Sequence, residues 1–229
     1  MPSSIDETLS ANDATAAAAP RPSSWGELLA GRNGVYALAL AGGVTLHAVN
    51  MYVATTVMPS VVADIGGLDF YAWATTVFVI ASILGAALTA RLLHGAGPRG
   101  AYLVATLLFA AGTLIASLAI TMPVMLAGRS LQGLGGGFLY ALAYGLTRLV
   151  LPERLWGRMI GLIAAMWGVA TLVGPAIGGI FAEYGAWRAG FLSLLPVSGL
   201  FALSPSPPCR ARAATATSVR QSPLRNSSC

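Results

Sequence analysis

Residues Gly128–Gly145 read GRSLQGLGGGFLYALAYG. The stretch is apolar apart from Arg129, Ser130 and Gln132. Gly133, Gly137, Ala141 and Gly145 recur every four residues, which puts them on one face of a helix. Such a small-residue stripe lets a second helix approach closely in a membrane. Gln132 follows Arg129 at i+3 and shares its face. An arginine in mid-membrane costs about 2.5–3.5 kcal/mol on insertion scales. Two readings of Arg129 follow. It is a polar pathway group facing a bundle interior with a partner, or it snorkels to the outer headgroups near Met122.

Outward from this segment the same character continues. No charged residue occurs over residues 34–63, 70–90, 100–128 or 159–182. Crossing about 30 Å of hydrocarbon at about 1.5 Å per residue takes about 20 apolar residues, and each run reaches that length. Of the 229 residues, 56% are hydrophobic and 9% charged, against about 25% charged in an average soluble domain. The chain cannot supply the polar shell of a soluble protein. A transmembrane β-barrel would alternate apolar and polar residues in short segments, and these runs do not alternate. The expected fold is an all-α membrane protein, a six-transmembrane-helix bundle. The spans run over about 35–62, 70–90, 101–120, 122–147, 159–181 and 189–203.

Three parts follow from this reading. Residues 1–32 form a disordered cytoplasmic leader, 33–203 the six-span domain, and 204–229 a disordered tail. The tail is rich in Ser, Pro, Arg and Ala, and it cuts off a sixth span of only about 15 apolar residues. Either a reading-frame shift or artificial end, or an ordinary disordered tail, accounts for it. All thirteen basic residues are arginine, which excludes Schiff-base chemistry on lysine. Arg21, Arg32, Arg91, Arg99, Arg148, Arg154, Arg158 and the four tail arginines fall on one side of the membrane, while Arg188 falls on the other. By the positive-inside rule both termini are cytoplasmic. The net charge of +5 therefore reflects topology and gives no reason to expect a nucleic-acid partner.

The first span carries His47, Asn50, Tyr52 and Thr55. His47 and Asn50 share a face, and polar groups in lipid are costly unless they pair or face water. A helix-to-helix hydrogen bond is one reading, and a histidine titrating near neutral pH is the other. All eight acidic residues lie outside the spans, so the spans hold no carboxylate for a proton relay. Two histidines without a membrane acid cannot form an HExxH zinc site. Cys209 and Cys229 both lie in the tail and form no metal-binding pattern. The chain carries no enzyme constellation and no P-loop, and neither a metal nor a cofactor is expected.

The fifth span contains Gly174-Pro175-x-x-Gly178-Gly179, with Ala170, Gly174, Gly178 and Ala182 as a second small-residue stripe. Together with Arg129-x-x-Gln132-Gly133-x-Gly135 in the fourth span, this resembles the major facilitator superfamily. The closest likeness is to its drug–proton antiporters of the fourteen-span branch. The first-span stretch NMYVATTVMPSVVADIGG resembles that branch as well. The likeness covers about residues 35–203, the amino-terminal six-helix half. It implies two six-helix halves, each an inverted 3+3 repeat, with substrate between them. It also implies a part for Arg129 in proton coupling, and a Gly174–Pro175 helix that seals against leakage. The sequence departs from the pattern at two places. Asn50 stands at the family's first-span aspartate. His94 stands at the aspartate of the loop between spans two and three, where Gly97 and Arg99 are kept.

The resulting expectation is proton-coupled efflux of amphipathic organic compounds from a bacterial inner membrane. Arg129, Gln132, His47, Asn50, Tyr52 and Thr55 line one cavity wall. Gly133, Gly135, Gly137, Gly174, Pro175, Gly178, Gly179, Gly97 and Arg99 serve packing and gating. The opposite wall requires a second half or a homodimer, with the fifth-span stripe as the seam. A truncated fragment that inserts but transports nothing is the alternative.

Overall fold

A computed structural model describes residues 24–203. The helices are α1 (Trp25–Leu29), α2 (Gly31–Ile65), α3 (Tyr71–Ser117), α4 (Met122–Val150), α5 (Glu153–Glu183), α6 (Trp187–Leu192) and α7 (Leu194–Leu203), with a 3-10 turn at Leu68–Phe70. This is an all-α membrane bundle. Among the described residues, three stretches are long and apolar enough to cross a membrane by themselves: Gly31–Ile65, Leu68–Ser117 and Glu153–Glu183.

α3 holds the second and third crossings. Its 47 residues break at Gly97, with φ 69° and ψ 174°. A side chain at that φ is strained, and glycine is the residue that adopts it at no steric cost. Pro98 follows and suits the first turn of the next arm, where its missing N–H is not needed. The turn expected between Arg91 and Arg99 is therefore a single-residue reversal.

Both arms of α3 enclose α4. A Cβ on Gly133 or Gly137 would collide with the backbone carbonyls of Phe78 and Ser82 on the first arm. On the second arm, Gly112 lies against Gln132, and Phe109 against Gly135. Glycine and Arg129 make α4 less apolar than its neighbours, but protein covers its polar side. α2 is likewise buried along much of its length, whereas α3 and α5 turn Ile80, Ile83, Leu107, Leu172 and Ile180 outward. Those outward side chains are what a lipid-facing surface requires.

α5 packs on α2. Gly174 and Gly178 sit against the side chains of Tyr52 and Thr56. The fifth-span stripe is thus consumed within the chain, which corrects the expectation that it is a dimer seam. Spans one and five meet as spans four and two do. In both pairs, glycines four residues apart face the partner helix, a pairing that an inverted three-helix repeat places in equivalent positions.

The end expected to be a disordered leader is structured over its described part. Ser24 Oγ accepts the Glu27 backbone N–H at 3.1 Å and caps α1. Leu28 is fully buried, and Glu27 pairs with Arg154 at the start of α5. Residues 1–23 and the tail 204–229 lie outside the described residues.

At the opposite face, Asp64 accepts hydrogen bonds from Arg188 (2.7 Å) and Trp187 Nε1 (3.1 Å), and Arg188 also donates to the Ala119 carbonyl (3.2 Å). This clasp joins the end of α2, the loop before α4 and the start of α6. The hydrogen bond from Arg188 holds the Asp64 carboxyl below its ordinary value of 3.8. A lowered pKa stabilises the fold above the ordinary value, and the contribution is lost as pH falls through the lowered one. Arg188→Ala is therefore expected to lower the melting temperature slightly at neutral pH. The gap between variant and native chain should close as the pH is taken to about 2. A gap unchanged by acid would mean that Arg188 acts through packing on Trp187.

Candidate functional site: a buried arginine network

Arg129 lies seven residues into α4 and is 1% exposed. Its side chain does not snorkel. The Nε donates to the Ala74 carbonyl at 3.4 Å, and a terminal nitrogen donates to Gln132 Oε1 at 2.5 Å. The guanidinium also lies 4.1 Å from the centre of the Phe78 ring, within cation–π range. Gln132 carries the network onward. Its Nε2 donates to Asn50 Oδ1 at 2.9 Å and to Thr113 Oγ1 at 2.7 Å, and Thr113 donates to the Phe109 carbonyl at 2.8 Å. Spans one, two, three and four are thereby tied through polar side chains. All of Arg129's hydrogen-bond partners here are neutral.

His47 lies one turn before Asn50 and makes ring contacts. It stacks on Phe78 at 5.2 Å, with Tyr140 at 6.1 Å and Trp167 at 6.3 Å. Tyr140 and Trp167 also meet edge to face at 6.3 Å, and Tyr144 extends the row. Two buried polar atoms have no hydrogen-bond partner among the described residues: His47 Nδ1 and Asn50 Nδ2. A buried polar atom without a partner is costly, and His47 Nδ1 is enclosed against Gly136.

The structure brings together Arg129, Gln132, Asn50 and His47 from the expected set. Tyr52 and Thr55 stand apart from the network. Tyr52 packs on Gly174, and exposed Thr55 donates to the Tyr52 carbonyl of its own helix at 2.9 Å. Gly133, Gly135 and Gly137 are buried at helix crossings, as are Gly174 and Gly178. Nothing packs where a Cβ of Gly179 would stand, and Pro175 is exposed on α5. Gly97 makes the turn between the arms of α3, with Arg99 exposed beside it.

Sequence reading did not find Phe78, Thr113, Tyr140 or Trp167. Tyr140 and Tyr144, four apart beside the glycine run, were the available signal. The other three come from the two arms of α3 and from α5, and carry no motif.

The sequence model of the Major Facilitator Superfamily matches residues 40–225. This chain belongs to the Major Facilitator Superfamily. Among its facilitator relatives is a probable multidrug-efflux transporter of Mycobacterium tuberculosis, 42% identical over 180 residues. That alignment covers 79% of this chain and 38% of the relative. The Acurin A biosynthesis cluster MFS-type transporter of Aspergillus aculeatus is 32% identical over 162 residues, 71% of this chain and 29% of the relative. Multidrug resistance protein 3 of Bacillus subtilis is 28% identical over 163 residues, 71% of this chain and 32% of the relative. The facilitator chain spans less than two fifths of the length of these curated relatives. It is an integral membrane protein by family and by its apolar helices.

Proposed function

We propose that this chain forms one wall of a proton-coupled exporter of amphipathic organic compounds that works by alternating access. One observation carries the reading. Arg129 is held wholly inside the bundle by a network of neutral groups reaching spans one to four. Buried charge in a membrane is retained where it serves a pathway. The multidrug-efflux relatives support organic compounds as the cargo.

In this reading Arg129 takes part in proton coupling, with Gln132 and Asn50 fixing its position. The aromatic row of His47, Tyr140 and Trp167 contacts cargo. Alternating access is a rocking of this wall against an opposite one. A second half or a second copy of the chain supplies that wall, and it meets a surface other than the Gly174–Gly178 seam. The arginine-rich side of the bundle is cytoplasmic, and the membrane is the bacterial inner membrane.

The test uses the chain reconstituted in vesicles with an entrapped fluorescent dye and an imposed pH gradient. Efflux of dye against its own gradient, abolished by collapsing the pH gradient, is the expected result. Insertion without flux would overturn pairing of two copies as the source of the opposite wall, and flux that no gradient makes uphill would overturn the exporter reading.

A further inference from the structure

We propose that this wall selects neutral or anionic aromatic compounds over organic cations. Trp167 and Tyr140 are the stacking surface, and Arg129 is the fixed positive charge behind it. The inference rests on the reading above that the wall faces cargo, and it adds the charge class of that cargo.

Three observations converge. First, the local charge is uncompensated. Arg129 is bonded to the Ala74 carbonyl and the Gln132 amide, and every Asp and Glu of the chain lies outside the spans. Second, the buried network has a surplus of donors. Asn50 Nδ2 is buried without an acceptor, within the network that holds the guanidinium. A sulfonate, carboxylate or carbonyl oxygen would satisfy it, whereas an ammonium group offers it nothing. Third, the charge and the stacking surface are continuous. Phe78 lies against both Arg129 (4.1 Å) and His47 (5.2 Å), and His47 meets half-buried Tyr140 and Trp167. A flat aromatic cargo on Trp167 and Tyr140 is held by stacking. Its charged group then lies in the field of one buried positive charge. At an effective dielectric of about 20, such a field discriminates anion from cation on the order of tenfold or more at about 10 Å.

Asn50 provides the control. Asn50→Asp is nearly isosteric, removes the orphan amide donor and places a carboxylate against the Arg129–Gln132 pair. It should cancel the positive field without disturbing the stacking surface.

The experiment measures tryptophan quenching of the intact chain in nanodiscs of uncharged phosphatidylcholine. The probes share one ring system, naphthalene sulfonate and naphthyl trimethylammonium. The native chain is expected to bind the sulfonate at least about tenfold more tightly. Trp167→Phe should remove most of the quenching, which places the probe. Asn50→Asp should bring the two affinities to parity or reverse their order. Equal or tighter binding of the ammonium by the native chain overturns the inference, as does binding of neither probe. A sulfonate preference unchanged in folded Asn50→Asp also overturns it. If that variant does not fold, the native comparison decides alone. The transport reading stands or falls separately on uphill flux. An exporter that prefers cations would sink only this inference, and selective binding without flux would sink only transport by paired copies of this chain.

Discussion

Gly137→Val is expected to abolish recovery of folded chain from the membrane. A Cβ at Gly137 would overlap the Ser82 backbone carbonyl, and one at Gly133, a turn earlier, would overlap that of Phe78. The contact is reciprocal, because Gly85 on the facing arm of α3 lies against the Leu134 carbonyl. Overpacking a core costs about 1–3 kcal/mol when side chains can move aside. Here the obstacle is backbone on a rigid helix, so the arm would have to separate from α4 along its length. Separation would also draw Ala74 and Phe78 away from Arg129. Gly145→Ala is the matched control. It lies on the same four-residue stripe, yet nothing stands within contact of its Cβ position. Alanine is favoured over glycine in a helix by up to about 1 kcal/mol, so this variant should match or exceed the native chain. Size-exclusion profiles and melting of the detergent-solubilised chains compare the two. Equal behaviour of both variants would mean that α3 and α4 do not pack backbone to backbone.

Arg129→Ala is expected to eliminate pH-driven uphill efflux while passive leakage stays at the level of empty vesicles. Each hydrogen bond to a charged group contributes about 1.5–3 kcal/mol, and Arg129 donates both to Gln132 and to the Ala74 carbonyl. Removing both leaves Gln132 Oε1 buried without its donor and leaves the side chain held only through its Nε2, by Asn50 and Thr113. Loss of coupled flux by about a hundredfold or more is expected, since one such bond is worth roughly ten- to a hundredfold. Arg129→Lys separates charge from geometry. Its ammonium keeps the positive field and reaches one acceptor, but it lacks the planar fork that serves two. Partial flux in the lysine variant, with none in alanine, assigns the role to the charge. Full coupled flux in Arg129→Ala would show that the buried arginine only holds the helices together.

How much of this was legible in the sequence depended on whether the physics was local. Hydrocarbon burial is a cost summed along one segment, so the charge-free runs were enough to place the crossings. The Arg91–Arg99 turn was equally local, because the two arginines mark the break between adjacent apolar runs. The likeness of the fourth- and fifth-span motifs to the facilitator family was also readable, because those residues sit at fixed spacings on single helices.

Partner identity was not local. The four-residue stripe of α4 is periodic over Gly133, Gly137 and Gly145, but its last member faces open space. The stripe of α5 reads as an outer seam until Tyr52 and Thr56 of the first span are seen to fill it. Arg129 was compatible with either snorkelling or burial. The Ala74 carbonyl, 55 residues away in the chain, and the Phe78 ring put its partners inside the bundle. The leader's last residues read as polar and unstructured, yet Leu28 is buried against the bundle with Glu27 beside Arg154. Sequence alone determined that this chain is a membrane helical bundle of facilitator type, because segment hydrophobicity and motif spacing are properties of one stretch at a time. Only the tertiary structure decided which glycines are indispensable and which groups surround Arg129, because those depend on residues brought together from separate helices.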